Sequence, residues 1–179
     1  MSILFGTNTT MSTWRYATPL MCNEEPHQLS SNIATVIKQA KEKGIISDEN
    51  NYSKFITLFN SMDEYVHIPI TVFAFTNNYF DQYYPNVSDY DKHRIAKSHL
   101  LRGLLTEDLI IDKITRLSPL SRSKFHITND KIFNFINREP TVISNILGQM
   151  YDNKQDRVLV YFIDSPIFTL EQIYNDDSS

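Results

Sequence analysis

The stretch Ile68-Pro-Ile-Thr-Val-Phe-Ala-Phe-Thr-Asn-Asn-Tyr-Phe80 decides the fold. Its first eight residues are mostly β-branched or aromatic, the composition of a short buried strand. Thr76 then offers a hydroxyl that can cap a short helix through Asn77, Asn78, Tyr79 and Phe80. Val72 and Phe73 are expected to fill a central strand, and Phe80 to return one turn later against the same core.

Upstream the period is helical. Ile33, Val36, Ile37 and Ala40 fall at i, i+3, i+4 and i+7, with Ser30 or Ser31 as the expected cap and Gly44 where a helix-ending glycine belongs. Phe55, Leu58, Phe59 and Met62 repeat the spacing and predict a second helix over 52–65. Residues 1–29 show neither period. They are Thr/Ser-rich yet carry Phe5, Trp14 and Tyr16, so they read as an extended arm that orders against a partner.

Downstream, Ser88 or Asp89 opens a helix reaching Ile95 or Ser98, and Thr106 can cap a turn over Glu107-Asp-Leu109. Strands are expected at 113–117, 124–128, 132–136, 141–146 and 157–164, with Asn129-Asp130 as a tight hairpin turn. The polar stretch 152–156 is a loop, and 175–179 an acidic, frayed tail. Helices first and strands later predict an α+β domain over 30–174, not an alternating α/β one.

Composition bounds the function. The chain has 179 residues, enough for one domain with a sizeable core. Seventeen Lys+Arg against 21 Asp+Glu leave a net charge of −4, which argues against nucleic acid as the main partner. The densest basic cluster, Lys38, Lys41 and Lys43, is interrupted by Glu42. The single cysteine, Cys22, excludes an internal disulfide framework. The first ten residues lack the basic and apolar regions of a secretory signal, and no stretch approaches a transmembrane helix. Only four glycines are present, so turns are expected to rely on Asn and Asp.

Three segments, in order and about 28 and 60 residues apart, resemble the fasciclin (FAS1) domain family. Thr71-Val-Phe-Ala-Phe-Thr-Asn-Asn-Tyr-Phe80 is similar to the family's Thr-Val-Phe-Ala-Pro-Thr-Asn/Asp-x-Ala-Phe. Ser98-His-Leu-Leu-Arg-Gly-Leu-Leu-Thr-Glu-Asp-Leu109 is similar to its Tyr-His-Val-Val-Pro-Gly-x-Leu-Thr-x-x-Asp-Leu. Val158-Leu-Val-Tyr-Phe-Ile-Asp164 is similar to its closing Gly-Val-Val-His-Val-Ile-Asp. Phe75, Tyr79, Ser98, Arg102 and Tyr161 depart from the pattern, and the altered Tyr-His segment points away from the cell-surface adhesion branch. The resemblance spans about residues 30–170. It implies N-terminal helices on a twisted β-sandwich or wedge of about seven strands, and a non-catalytic domain that works by protein–protein contact.

Candidate chemistry is sparse. His27, His67, His93, His99 and His126 form no zinc spacing, and no Gly-x-Ser-x-Gly elbow or phosphate loop is present. His99, which matches the family histidine, reads first as a hydrogen-bonded core imidazole, with ligand or catalytic roles as alternatives. Asp164 is expected to bond backbone at a strand end. No catalytic, metal or cofactor residues are assigned. Aromatics gather at Tyr79, Phe80, Tyr83, Tyr84 and Tyr90, and Tyr83 and Tyr84 beside Pro85 are read as exposed contact residues, with Phe5, Trp14 and Tyr16 of the arm. The resemblance, with an AT-rich residue vocabulary, implies a minor capsid protein of a large icosahedral DNA virus. Such a protein would be made in the host cytoplasm, linking major and minor capsid proteins in the virion, with a homo-oligomer as a further option. The alternative is a secreted or surface adhesion domain, for which Asn8, Asn51 and Asn86 stand in glycosylation sequons.

Overall fold

The computed structural model describes residues 28–62, 68–106, 115–117, 125–128, 130–136, 139–152 and 157–178. The order is α1 (Leu29–Glu42), a 3-10 turn (Glu49–Tyr52), α2 (Ser53–Thr57), β1 (Ile70–Ala74), α3 (Asn77–Tyr83), α4 (Asp89–Ser98), β2 (Leu100–Arg102), β3 (Thr115–Leu117), β4 (Phe125–Thr128), β5 (Lys131–Ile136), β6 (Glu139–Asp152), β7 (Val158–Ile163) and α5 (Leu170–Ser178). The class is α+β, with seven strands ordered β2-β1-β7-β6-β5-β4-β3.

The deciding stretch forms β1, all five residues of which are buried. It pairs in parallel with β7, so two wholly buried strands lie side by side, flanked by β2 and β6. Alternate residues serve two layers. Val72 and Ala74 share a face with Val160 and Phe162 of β7, and Phe162 meets Tyr52 of the helical layer edge-on at 5.3 Å. Phe73 lies on the other face, stacked on Tyr161 with ring centroids 5.6 Å apart.

The strand β6 folds the sheet. Residues 139–145 pair with β5, whereas 146–152 pair with β7. Leu147 is the extra residue of a bulge at this change of partner and is 65% exposed. The consequence is contact between strands that are not neighbours: Phe125 of β4 sits edge-on to Phe73 of β1 at 5.3 Å. The two halves of the sheet therefore close over a shared aromatic core.

Asp164 pins the corner. Its carboxylate accepts from the Asn145 amide N–H at 2.8 Å, from Asn145 Nδ2 at 2.9 Å and from the Ser144 hydroxyl at 3.0 Å. Burial raises its pKa, but these hydrogen bonds outweigh that and hold the carboxyl below its ordinary value. The expectation of a backbone bond at a strand end is met.

Other local expectations divide. Ile33, Val36, Ile37 and Ala40 are all buried. Gly44, at φ +77°, ends α1, with Ile45 N–H donating to Ala40 O at 2.9 Å and Gly44 N–H to Lys41 O at 3.0 Å. Ser88 caps α4 by accepting from Asp91 N–H at 3.1 Å. The turn between β4 and β5 is as tight as expected, since Thr128 pairs with Lys131 and Asp130 takes φ +63°.

Five readings need correction. Neither Ser30 nor Ser31 caps α1; the helix starts at Leu29 with Gln28 at the N-cap and Ser30 buried. That places Leu29 in the domain rather than the arm. The second helix is not continuous over 52–65: a 3-10 turn precedes five α-helical residues, yet Phe55, Leu58, Phe59 and Met62 are all buried. Thr76 occupies the N-cap of α3 without a side-chain bond; Asn77 instead accepts from Lys54 N–H at 2.9 Å and donates to Asn50 O at 3.1 Å. The strand expected at 141–146 extends over Glu139–Asp152. Finally, the boundary drawn at 175 falls inside α5, which runs to Ser178. The turn expected over 107–109 and the arm residues 1–27 lie outside the described residues.

Candidate interaction surface

His99 follows the last turn of α4 and is fully buried. Its Nε2 accepts from the Ile167 N–H at 3.0 Å, which requires the proton of the neutral ring to sit on Nδ1. Nδ1–H faces Ile95 O at 3.0 Å and the Ser98 hydroxyl at 2.8 Å. Burial lowers its pKa from 6.5 to about 4, only partly opposed by the bond to Ile95. Ser98 donates its own proton to Ile95 O at 2.7 Å. This adjacent Ser–His pair is therefore not a nucleophile with its base, because the nitrogen facing the serine already carries a proton. The ring joins α4 to the segment after β7, and Phe75 packs edge-on against it at 5.0 Å.

Tyr84 corrects the sequence reading. It is 1% exposed, and its hydroxyl donates to Phe168 O. Burial, and then the neighbouring Tyr83, push its pKa well up. The ring is part of an aromatic cluster with Phe75 and Phe80, so it has no surface to offer a partner. Tyr83 is half-buried and packs edge-on against Tyr79 and Tyr84. Phe5, Trp14 and Tyr16 lie outside the described residues.

Two exposed aromatics stand elsewhere, where α4 meets α5. Tyr90 is 69% and Tyr174 40% exposed. Between them lies the Arg94 guanidinium, 4.2 Å from the Tyr174 ring centroid and 5.5 Å from that of Tyr90. Arg94 also donates to Ile173 O at 3.3 Å. The Tyr174 hydroxyl donates to the Asp91 carboxylate, and that bond is the first cause raising the Tyr174 pKa. Two helices thus hold two tyrosines and an arginine in one fixed arrangement facing solvent. Tyr and Arg are the side chains that concentrate binding energy at protein interfaces, and fixing them beforehand reduces the ordering cost of association.

Sequence reasoning singled out Tyr90 within a cluster but missed Arg94, Asp91 and Tyr174. A signal for the first pair was present: Tyr90 and Arg94 are four apart on a helix whose buried residues are Ile95, Ala96 and Ser98. Tyr174 lies about 80 residues away and needed the tertiary fold.

Among the described residues, no three of His, Cys, Asp and Glu gather as a metal set. Nor is any described helix long and apolar enough to cross a membrane. No protein-family model matches the chain, and no curated protein matches its sequence.

Proposed function

We propose that this chain is a non-enzymatic interaction module of the fasciclin type, serving as a minor capsid protein that links or cements neighbouring capsid proteins of a large double-stranded DNA virus. The observation that carries the interaction reading is the pre-ordered Tyr90–Arg94–Tyr174 surface. The histidine that could have carried chemistry, His99, is sealed in the core with both ring nitrogens engaged.

The fasciclin reading is supported by how the three resembling segments meet. Thr71 of the first accepts from Leu105 N–H at 2.9 Å and donates to Gly103 O at 2.8 Å, both in the second. Phe73 of the first stacks on Tyr161 of the third, and the Tyr161 hydroxyl donates to Leu105 O. His99 of the second receives the Ile167 N–H just beyond the third. The departures are absorbed in kind: Phe75 is a fully buried hub, and Tyr161 supplies both a ring and a hydroxyl. The virion setting rests on the residue vocabulary and the resemblance, and its partners would be major and minor capsid proteins.

A second reading, an exported adhesion domain, draws on Asn51 and Asn86, both exposed and both in sequons. Mass spectrometry of purified particles, with cross-linking, tests the first against the second. The capsid reading expects the chain in the particle with cross-links to capsid subunits, and Tyr90→Ala with Tyr174→Ala lowering its incorporation without lowering its melting temperature. Absence from particles, or glycans on Asn51 and Asn86 of the native protein, would overturn it.

A further inference from the structure

A groove of about 540 Å³ lies where the end of α1 meets β6 and β7. It is lined by Lys43, Ile45, Leu104, Met150, Tyr151 and Leu159. Ile45 and Tyr151 are 37% and 40% exposed, so apolar side chains face water here, beside the polar Thr106 and Gln149. The wall is held firmly. Gly44 turns the chain at φ +77°, Ile45 N–H is bonded to Ala40 O, and a Cβ added at Gly148 would stand 2.8 Å from Ile45 Cγ2. Its volume suits a few side chains of an extended segment.

We propose that this groove is covered, in the free protein, by the chain's own segment Trp14-Arg-Tyr-Ala-Thr-Pro-Leu-Met21. Three observations select this occupant. The first is reach. The groove lies one length of α1 from Gln28, and 14 residues at about 1.5 Å each make roughly 21 Å. Seven extended steps of about 3.3 Å, from Gln28 back to Met21, span roughly 23 Å. The second is charge. The connecting residues include Glu24 and Glu25, and the path along α1 passes exposed Lys38, Lys41 and Lys43, with Glu42 among them. The third is chemistry. The segment offers Trp14, Tyr16, Leu20 and Met21 to the apolar side chains of the groove, and a proline at position 19 disfavours helix at Thr18. A short tether raises the effective concentration to the millimolar range, so the chain's own segment outcompetes that of a second copy. The inference stands apart from the capsid reading, since it concerns the isolated chain and needs no particle.

Trp14 is the chain's single tryptophan, so intrinsic fluorescence reports on this segment alone. The experiment uses the full chain, selective excitation of tryptophan, and iodide and acrylamide as quenchers, over a wide range of protein concentration. The expected result is blue-shifted emission, protected from both quenchers and independent of concentration. Ile45→Asp and, separately, Tyr151→Ser should shift it to the red and raise quencher access several-fold, with circular dichroism unchanged. Tyr151→Ser keeps the test open should Ile45→Asp fail to fold. Water-exposed emission from the unmodified chain would overturn the proposal. A blue shift that survives both folded variants would place the segment elsewhere, and one that grows with concentration would assign the groove to a second copy; either refutes it.

Discussion

Replacing His99 with glutamine should change how stability depends on acid more than it changes the fold. The folded protein keeps the ring neutral: its pKa falls from 6.5 to about 4, first because burial disfavours the cation. The unfolded chain has no such restriction and takes up the proton near 6.5. Between these two values the unfolded state holds more protons, so stability falls as pH falls, and the loss is complete once pH drops below about 4. Each pKa step of one is worth about 1.4 kcal/mol, so the whole displacement amounts to roughly 3 kcal/mol. Near pH 7 the variant should be less stable by about 1–3 kcal/mol, because the Ile167 N–H loses its acceptor geometry inside the core. On acidification the gap should close, since only the unmodified protein has this proton to take up. Urea unfolding of both proteins in steps from pH 7 to pH 4.5 measures the difference directly, and other titrating groups cancel. Asp164 does not enter this window: its carboxyl is held below 3.8, so its contribution is lost only at lower pH. Parallel stability curves for the two proteins would refute the reasoning. So would an NMR titration of the native ring with a midpoint above 6.

The other two expectations concern packing. Phe73→Ala removes a fully buried ring that touches both Tyr161 and Phe125, and should cost about 3–5 kcal/mol in denaturant unfolding; an unchanged midpoint would mean the two halves of the sheet do not close on this residue. Gly148→Ala places a Cβ 2.8 Å from Ile45 Cγ2 and should cost about 1–3 kcal/mol, most of it recovered when Ile45→Ala is added, so additive single and double variants would contradict the contact.

Several features could be read from residues alone, each because a local rule sufficed. The apolar repeat in 33–40 chose the buried face of α1, and Gly44 ended it, because only glycine takes φ +77° at no steric cost. Asp130 was legible for a related reason: Asn and Asp tolerate the left-handed region, and with four glycines in the chain they must serve there. Where local rules failed, a distant group had intervened. Thr76 was the obvious cap of α3, but Asn77 found partners in Asn50 and Lys54, brought there by the packing of α2 on α3. Tyr84 looked exposed beside Pro85, yet its hydroxyl is satisfied by Phe168 O, 84 residues away, so the ring could be buried without leaving a polar atom unpaired.

The candidate surface divides along the same line. Apolar period, turn chemistry and composition are local properties of the chain, and they determined the class, most elements and the core stripe of each helix. Which strand β6 pairs with changes within one strand, and no local pattern encodes that change; it is set by the bulge at Leu147 and by Asp164 reaching back to Ser144 and Asn145. The Tyr90–Arg94–Tyr174 arrangement likewise brings Tyr174 to residues 80 or more positions away, and exposure is a property of what packs nearby rather than of a side chain itself. The tertiary structure decided which tyrosines face solvent, because burial depends on whether the fold brings a hydrogen-bond acceptor to the hydroxyl.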